Sequence, residues 1–176
     1  MREDIPIPGT SKYRLIQVGI RQFSQKSYND VDVDSVAAEA GVTVGSLYHH
    51  FQSKKEFYGV LRDDMTRRVL DRMEAVAESL APYQSQQPRH VLKGALLSAY
   101  DGVLRIKAGK LLTESDPRGS EDAIAALLGE LAAHDGMAAA RTLGILLAAA
   151  LRAALSQAMA GNSDARQALE SLLSEP

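Results

Sequence analysis

Apolar side chains recur three and four positions apart along most of the chain, and no stretch alternates apolar with polar residues over the length of a strand. Over residues 10–25 this spacing falls on Tyr13, Ile16, Ile20 and Phe23, which predicts an amphipathic helix with one buried stripe. The segment "SYND" (27–30) reads as a turn. Residues 33–40 predict a short helix with Asp32 as its N-cap. Gly41 ends that helix, and Thr43 is placed to cap another short one running to about His50. Ser53-Lys54-Lys55-Glu56 has the S-x-x-E spacing of a capping box, so a long helix should start there. Its stripe is Phe57, Leu61, Met65, Val69, Met73, Val76 and Leu80, ending before Pro82.

The polar, proline-marked segment "PYQSQQPRH" (82–90) reads as a connection. Helices are then expected at about 89–107, 121–134 and 136–160, with a last amphipathic one from about 164 to Leu173. The segment "TESDPRGSED" (113–122) and the pair Gly161-Asn162 interrupt them. The expected fold class is all-α. An N-terminal three-helix head (10–52) is joined to a helical body (53–176) through a connecting helix (53–80).

Composition changes this picture mainly by exclusion. Apolar residues form 45% of the 176, enough for a core, and there is no cysteine, so no disulfide framework and no thiolate metal site exists. The start, "MREDIPIPGTSKYR", lacks the apolar core of a signal peptide. No apolar run nears the ~20 residues that span a bilayer, so a soluble, cytoplasmic protein with no membrane partner is expected. A net charge of −2 does not point to nucleic acid. Within 11–58, Lys12, Arg14, Arg21, Lys26, Lys54 and Lys55 nearly balance Asp30, Asp32, Asp34, Glu39 and Glu56.

The stretch "LYHHFQSK" (47–54) concentrates the candidate chemistry. Adjacent helical residues point about 100° apart, so His49 and His50 are poorly placed to share a metal ion, and no third ligand lies at suitable spacing. Neither has a nucleophile or carboxylate partner, so no enzyme, metal or cofactor is expected. Residues 33–51 do satisfy the demands of a helix-turn-helix. Ala37 is small where two helices cross, Gly41 tolerates the turn, and Val36, Ala40, Val42 and Leu47 are apolar where the pair must pack.

The string "VAAEAGVTVGSLYHHFQSKKEF" (36–57) resembles the most recognisable stretch of the tetracycline-repressor-like (TetR/AcrR) family of bacterial transcription regulators. The resemblance is close over 12–58 and elsewhere extends only to helical layout. It implies that Thr43, Val44, Gly45 and Ser46 open a recognition helix in the major groove of an operator. It also implies that Tyr48, His50 and Lys54 meet phosphates and that His49 faces DNA. A phosphate beside Lys54 would be held by both the ammonium and the helix N-terminus. Asp32 and Asp34 depart from the family pattern, and both would repel phosphate if they faced it.

Two recognition helices must lie about 34–36 Å apart to enter successive grooves, so the resemblance implies a homodimer. Its expected surface is the last two helices, about 138–160 and 164–174, where Ala148, Ala149, Ala153 and Ala154 suit either a buried core helix or close contact between subunits. The body is short for the family, and a small, mostly apolar effector is expected against Val69, Met73, Leu96, Tyr100, Leu104 and Leu112. The other reading left open is a helical homodimeric protein-interaction module with a degenerate DNA-binding head.

Overall fold

The computed structural model describes residues 8–83 and 89–174; the N-terminal segment and most of the expected connection at 82–90 lie outside the described residues. Among these residues the chain is all-helical: α1 (Ser11–Gln25), α2 (Val33–Glu39), α3 (Val44–Phe51), α4 (Lys54–Leu80), α5 (His90–Arg105), α6 (Gly109–Thr113), α7 (Ala123–His134), α8 (Ala140–Met159) and α9 (Ala165–Ser171).

Short polar side chains set where the helices of the head begin. Thr10 Oγ1 accepts from Tyr13 N, and Asp32 accepts from the N–H groups of Asp34 and Ser35. Thr43 Oγ1 accepts from Ser46 N at 3.2 Å, and Ser53 Oγ from Glu56 N at 3.0 Å. Each satisfies a backbone donor that the first helical turn leaves open. Asp122 does the same for α7 through Ile124 N and Ala125 N. A turn of 3-10 helix at Tyr28–Asp30 stands where "SYND" predicts a turn.

The buried face of α1 is wider than the expected stripe. Leu15, Ile16, Val18, Gly19, Gln22 and Phe23 are buried, whereas Tyr13 and Ile20 are only half-buried. The reason is that α1 touches α2 and α3 on one side and α4 and α6 on another. Gln22 enters this interior because its Nε2 donates to Glu39 Oε2 at 2.7 Å. Two further boundaries differ from the sequence reading. Residues 136–139 form a turn, with Gly136 and Ala139 at positive φ, so α8 starts at Ala140. The five residues of α6, too few for a period to show, make a separate helix beneath the head, where Gly109 lies close to the Ser24 carbonyl.

One core runs through head and body, from Leu15 to Leu173. The α4 stripe of Phe57, Leu61, Met65, Val69 and Met73 is buried as expected, and α4 lies along α5. The tightest pairing is α7 on α8. A Cβ on Gly144 would fall 2.3 Å from the Ala125 carbonyl and 2.5 Å from Gly129 N, so only glycine permits this approach. Ala148 is fully buried, which fits the core reading of this helix at that position, whereas Ala149 and Ala153 are exposed.

The expected absence of any apolar run of bilayer length also needs correction. By length and composition α8 could cross a membrane, with a mean hydropathy of 1.5. Its core-facing side explains part of that composition, because Gly144, Leu147, Ala148, Leu151 and Leu155 are buried against neighbouring helices. Ile145 and Leu146 remain 53% and 61% exposed.

Candidate nucleic-acid interface and body cleft

The helix-turn-helix is held from within. Val36, Ala37, Ala40 and Leu47 are buried, and Val42 is half-buried. Gly41, with φ +65°, reverses the chain so that Val42 N donates to the Ala37 carbonyl. Arg14 adds a clamp that sequence reasoning missed, since its Nε donates to the Ala40 carbonyl at 2.9 Å. Arg21 and Gln22 together fasten Glu39. The Gln22 hydrogen bond, followed by Arg21, holds the Glu39 carboxyl below its ordinary value despite some desolvation.

On the outer side of this frame α3 presents a continuous surface. Thr43, Gly45, His49 and His50 are exposed, Tyr48 is 42% exposed, and Val44 and Ser46 are half-exposed. Phe51 turns inward and meets Phe57 with ring centroids 4.7 Å apart. The His49 and His50 rings meet edge to face at 5.5 Å, and no cluster of potential metal ligands exists among the described residues. Lys54, in the first turn of α4, holds its Nζ 4.7 Å from the centre of the Tyr28 ring. Seven of the eight candidate DNA-contact residues thus belong to α3 and its N-cap, and Lys54 opens α4 three residues beyond the end of α3. Asp32 and Asp34 are exposed at the start of α2.

A cleft of about 400 Å3 opens in the body between α4, the segment 113–122, α7 and α8. Leu70, Val103, Leu112, Ile124, Leu151 and Leu155 form its apolar wall, and Arg62, Asp63, Thr66, Glu114, Asp116 and Arg152 are prominent on the polar one. Arg118 braces this segment. Its Nη1 and Nη2 donate to Asp63 at 2.8 and 2.6 Å, and its Nε and Nη2 donate to Asp116. Burial pushes the Asp116 carboxyl up, but the Arg118 hydrogen bonds and charge outweigh it, leaving it below the ordinary 3.8. Arg118 is held more firmly protonated by the Asp63 and Asp116 hydrogen bonds.

The cleft corrects the expected pocket. Of the six candidates only Leu112 lines it. Val69, Met73 and Leu96 have no exposure and Tyr100 has 5%, because they form the α4–α5 core, while Leu104 is 37% exposed. The cleft uses the neighbouring face of α4, from Arg62 to Leu70, and sets a charged wall beside the apolar one. No apolar period marks such residues, and "TESDPRGSED" reads in sequence only as a break. Arginine among acids was the one available signal.

A three-helix head carrying a helix-turn-helix, set on a helical body, defines a helix-turn-helix protein. Residues 15–60 match the family described as bacterial regulatory proteins, tetR family. The chain is 24% identical over 104 residues to the HTH-type transcriptional repressor KstR2 of Mycolicibacterium smegmatis, covering 58% of this chain and 48% of that one. It is 38% identical over 47 residues to the biofilm operon icaADBC negative transcriptional regulator IcaR of Staphylococcus aureus, covering 27% of this chain and 25% of that one. The chain thus spans about a quarter to a half of the length of these curated relatives. A crystal structure of a TetR transcriptional regulator from Rhodococcus sp. RHA1 shares the fold, with TM-score 0.51 at 19% identity over 93% of this chain and 96% of that one.

Proposed function

We propose that this chain is a DNA-binding transcriptional regulator, acting as a cytoplasmic repressor that binds a pseudo-palindromic operator as a homodimer and is released by a small effector. The observation that carries the DNA reading is Gly45. A Cβ there would meet only Thr43 Oγ1, at 3.8 Å, so nothing among the described residues calls for glycine at that position. A groove floor approaching the backbone does call for it. Thr43, Val44 and Ser46 surround it, Tyr48, His49 and His50 extend the same surface, and Lys54 stands at the edge where a phosphate would lie.

Base reading by this set is modest, since it offers hydroxyls and a valine but no Arg, Asn or Gln fork. Asp32 and Asp34 add repulsion, so affinity should fall steeply with salt. The dimer reading rests on exposed apolar side chains at the C-terminal pair: Ile145, Leu146 and Met159 near α8, and Leu172 just after α9. A second copy covering them by two-fold symmetry would form a four-helix bundle. The names of the relatives, several of them repressors, favour repression.

An electrophoretic shift with the DNA upstream of the protein's own gene tests the reading. A shift that Tyr48→Ala/Lys54→Ala weakens is the expected result. No protein-dependent shift even at low salt would leave a protein-interaction module with a degenerate head.

A further inference from the structure

Arg62 stands in the wall of the body cleft with its side chain only 15% exposed. Its Nη1 donates to the carbonyls of Leu111 and Glu114, the latter at 2.9 Å, and lies 3.4 Å from Tyr58 Oη. All three partners are neutral. Asp116 forms an ion pair with Nε at 3.7 Å, beyond hydrogen-bond reach, and takes its hydrogen bonds from the N–H, Nε and Nη2 donors of Arg118. The Nε–Nη2 edge of Arg62 is thus left without a hydrogen-bond partner among the described residues. That edge is the fork that receives a carboxylate through two parallel hydrogen bonds.

The rest of the cleft fits a molecule of two halves. Leu70, Val103, Leu112, Ile124 and Leu155 offer an apolar wall, and about 400 Å3 accommodates a small ligand. Among the surrounding acids, Asp63 and Asp116 are held by Arg118, and Asp122 by Arg152. Glu121, exposed at the rim, carries no ion pair among the described residues and opposes an anion there.

We propose that this cleft binds a small amphipathic carboxylate, its carboxylate held by Arg62 and its apolar part lying on the leucine-rich wall. This rests on the effector reading above and gives the effector a chemical class. Binding has a route to the head. A carboxylate on the Nε–Nη2 edge repositions the guanidinium whose Nη1 holds carbonyls 111 and 114. The Glu114 carboxylate in turn accepts from Ser27 Oγ at 2.7 Å and from Tyr28 N at 3.1 Å, and the Tyr28 ring underlies Lys54.

Titration calorimetry of the full chain with octanoate, octylamine and octanol tests this without DNA, so its failure is distinguishable from failure of operator binding. Octanoate should bind once per chain, roughly tenfold or more tighter than the other two, the margin of a charge-assisted pair. Arg62→Gln should erase that preference. Because Arg62 also braces the fold, Ala123→Trp, at an exposed position lining the cleft, provides a second block and should abolish binding. Hydrogen exchange at residues 27–30 should quicken with octanoate bound. Absence of octanoate binding, an equal or stronger response to octylamine or octanol, or octanoate binding unchanged by both variants would each overturn the proposal.

Discussion

At single positions, structural need and functional need can be separated. Gly45 lies in the first turn of α3 with open space where a Cβ would go. Gly45→Ala should therefore raise stability, by up to about 1 kcal/mol from helix propensity, while weakening operator binding. Thermal melting and electrophoretic shift, run on one preparation, check the opposite signs. Asp116 behaves in the reverse manner, as a structural charge. Its carboxyl titrates below its ordinary 3.8, so its stabilising effect is fully present above that value and fades as pH falls through the folded-state value. Asp116→Asn should melt at lower temperature than the parent at pH 7, and the gap should narrow below pH 3.8. A gap that stays constant in acid would rule out the Arg118 contact as its origin.

Between elements, the α7–α8 pairing is the least tolerant of change. The atoms facing Gly144 are the backbone of Ala125 and Gly129, which cannot rotate away as a side chain could. Gly144→Ala should destabilise by roughly 1–3 kcal/mol, the range of overpacked cores, despite alanine's better helix propensity. Chemical denaturation measures it, and an unchanged midpoint would mean the helices separate freely. The other face of α8 carries a different consequence. Leu146 is 61% exposed, so Leu146→Glu should leave the chain folded but shift it from dimer to monomer in light scattering, with loss of operator binding.

For the molecule as a whole, the continuous core from head to body determines how a signal could pass. The head does not hang from α4 alone. Glu114 ties the turn before α2 to the body segment 113–116, and α6 sits against the end of α1. A ligand that alters these ties moves the equilibrium only by its difference in affinity between the two arrangements. Two heads on one dimer would then change spacing together, which is how a small cleft event could reach two major grooves.

The sequence by itself determined most of the helices and, in the head, their starts, since caps and apolar periods are local. Asp32, Thr43 and Ser53 cap the helices that their spacing predicts. It also marked the outward face of α3, because a packed helix-turn-helix leaves little choice of which residues point away. What only the tertiary structure decided were the places where distant segments meet. Gln22 enters the core because Glu39 is there to receive it. The α4 stripe proposed for a ligand is consumed by α5, and the cleft opens on the adjacent face, lined by charges from α4, the segment 113–122 and α8. Periodicity records how much of a helix is buried. It carries no information about which neighbour does the burying, and in this chain that neighbour decides where the cleft lies.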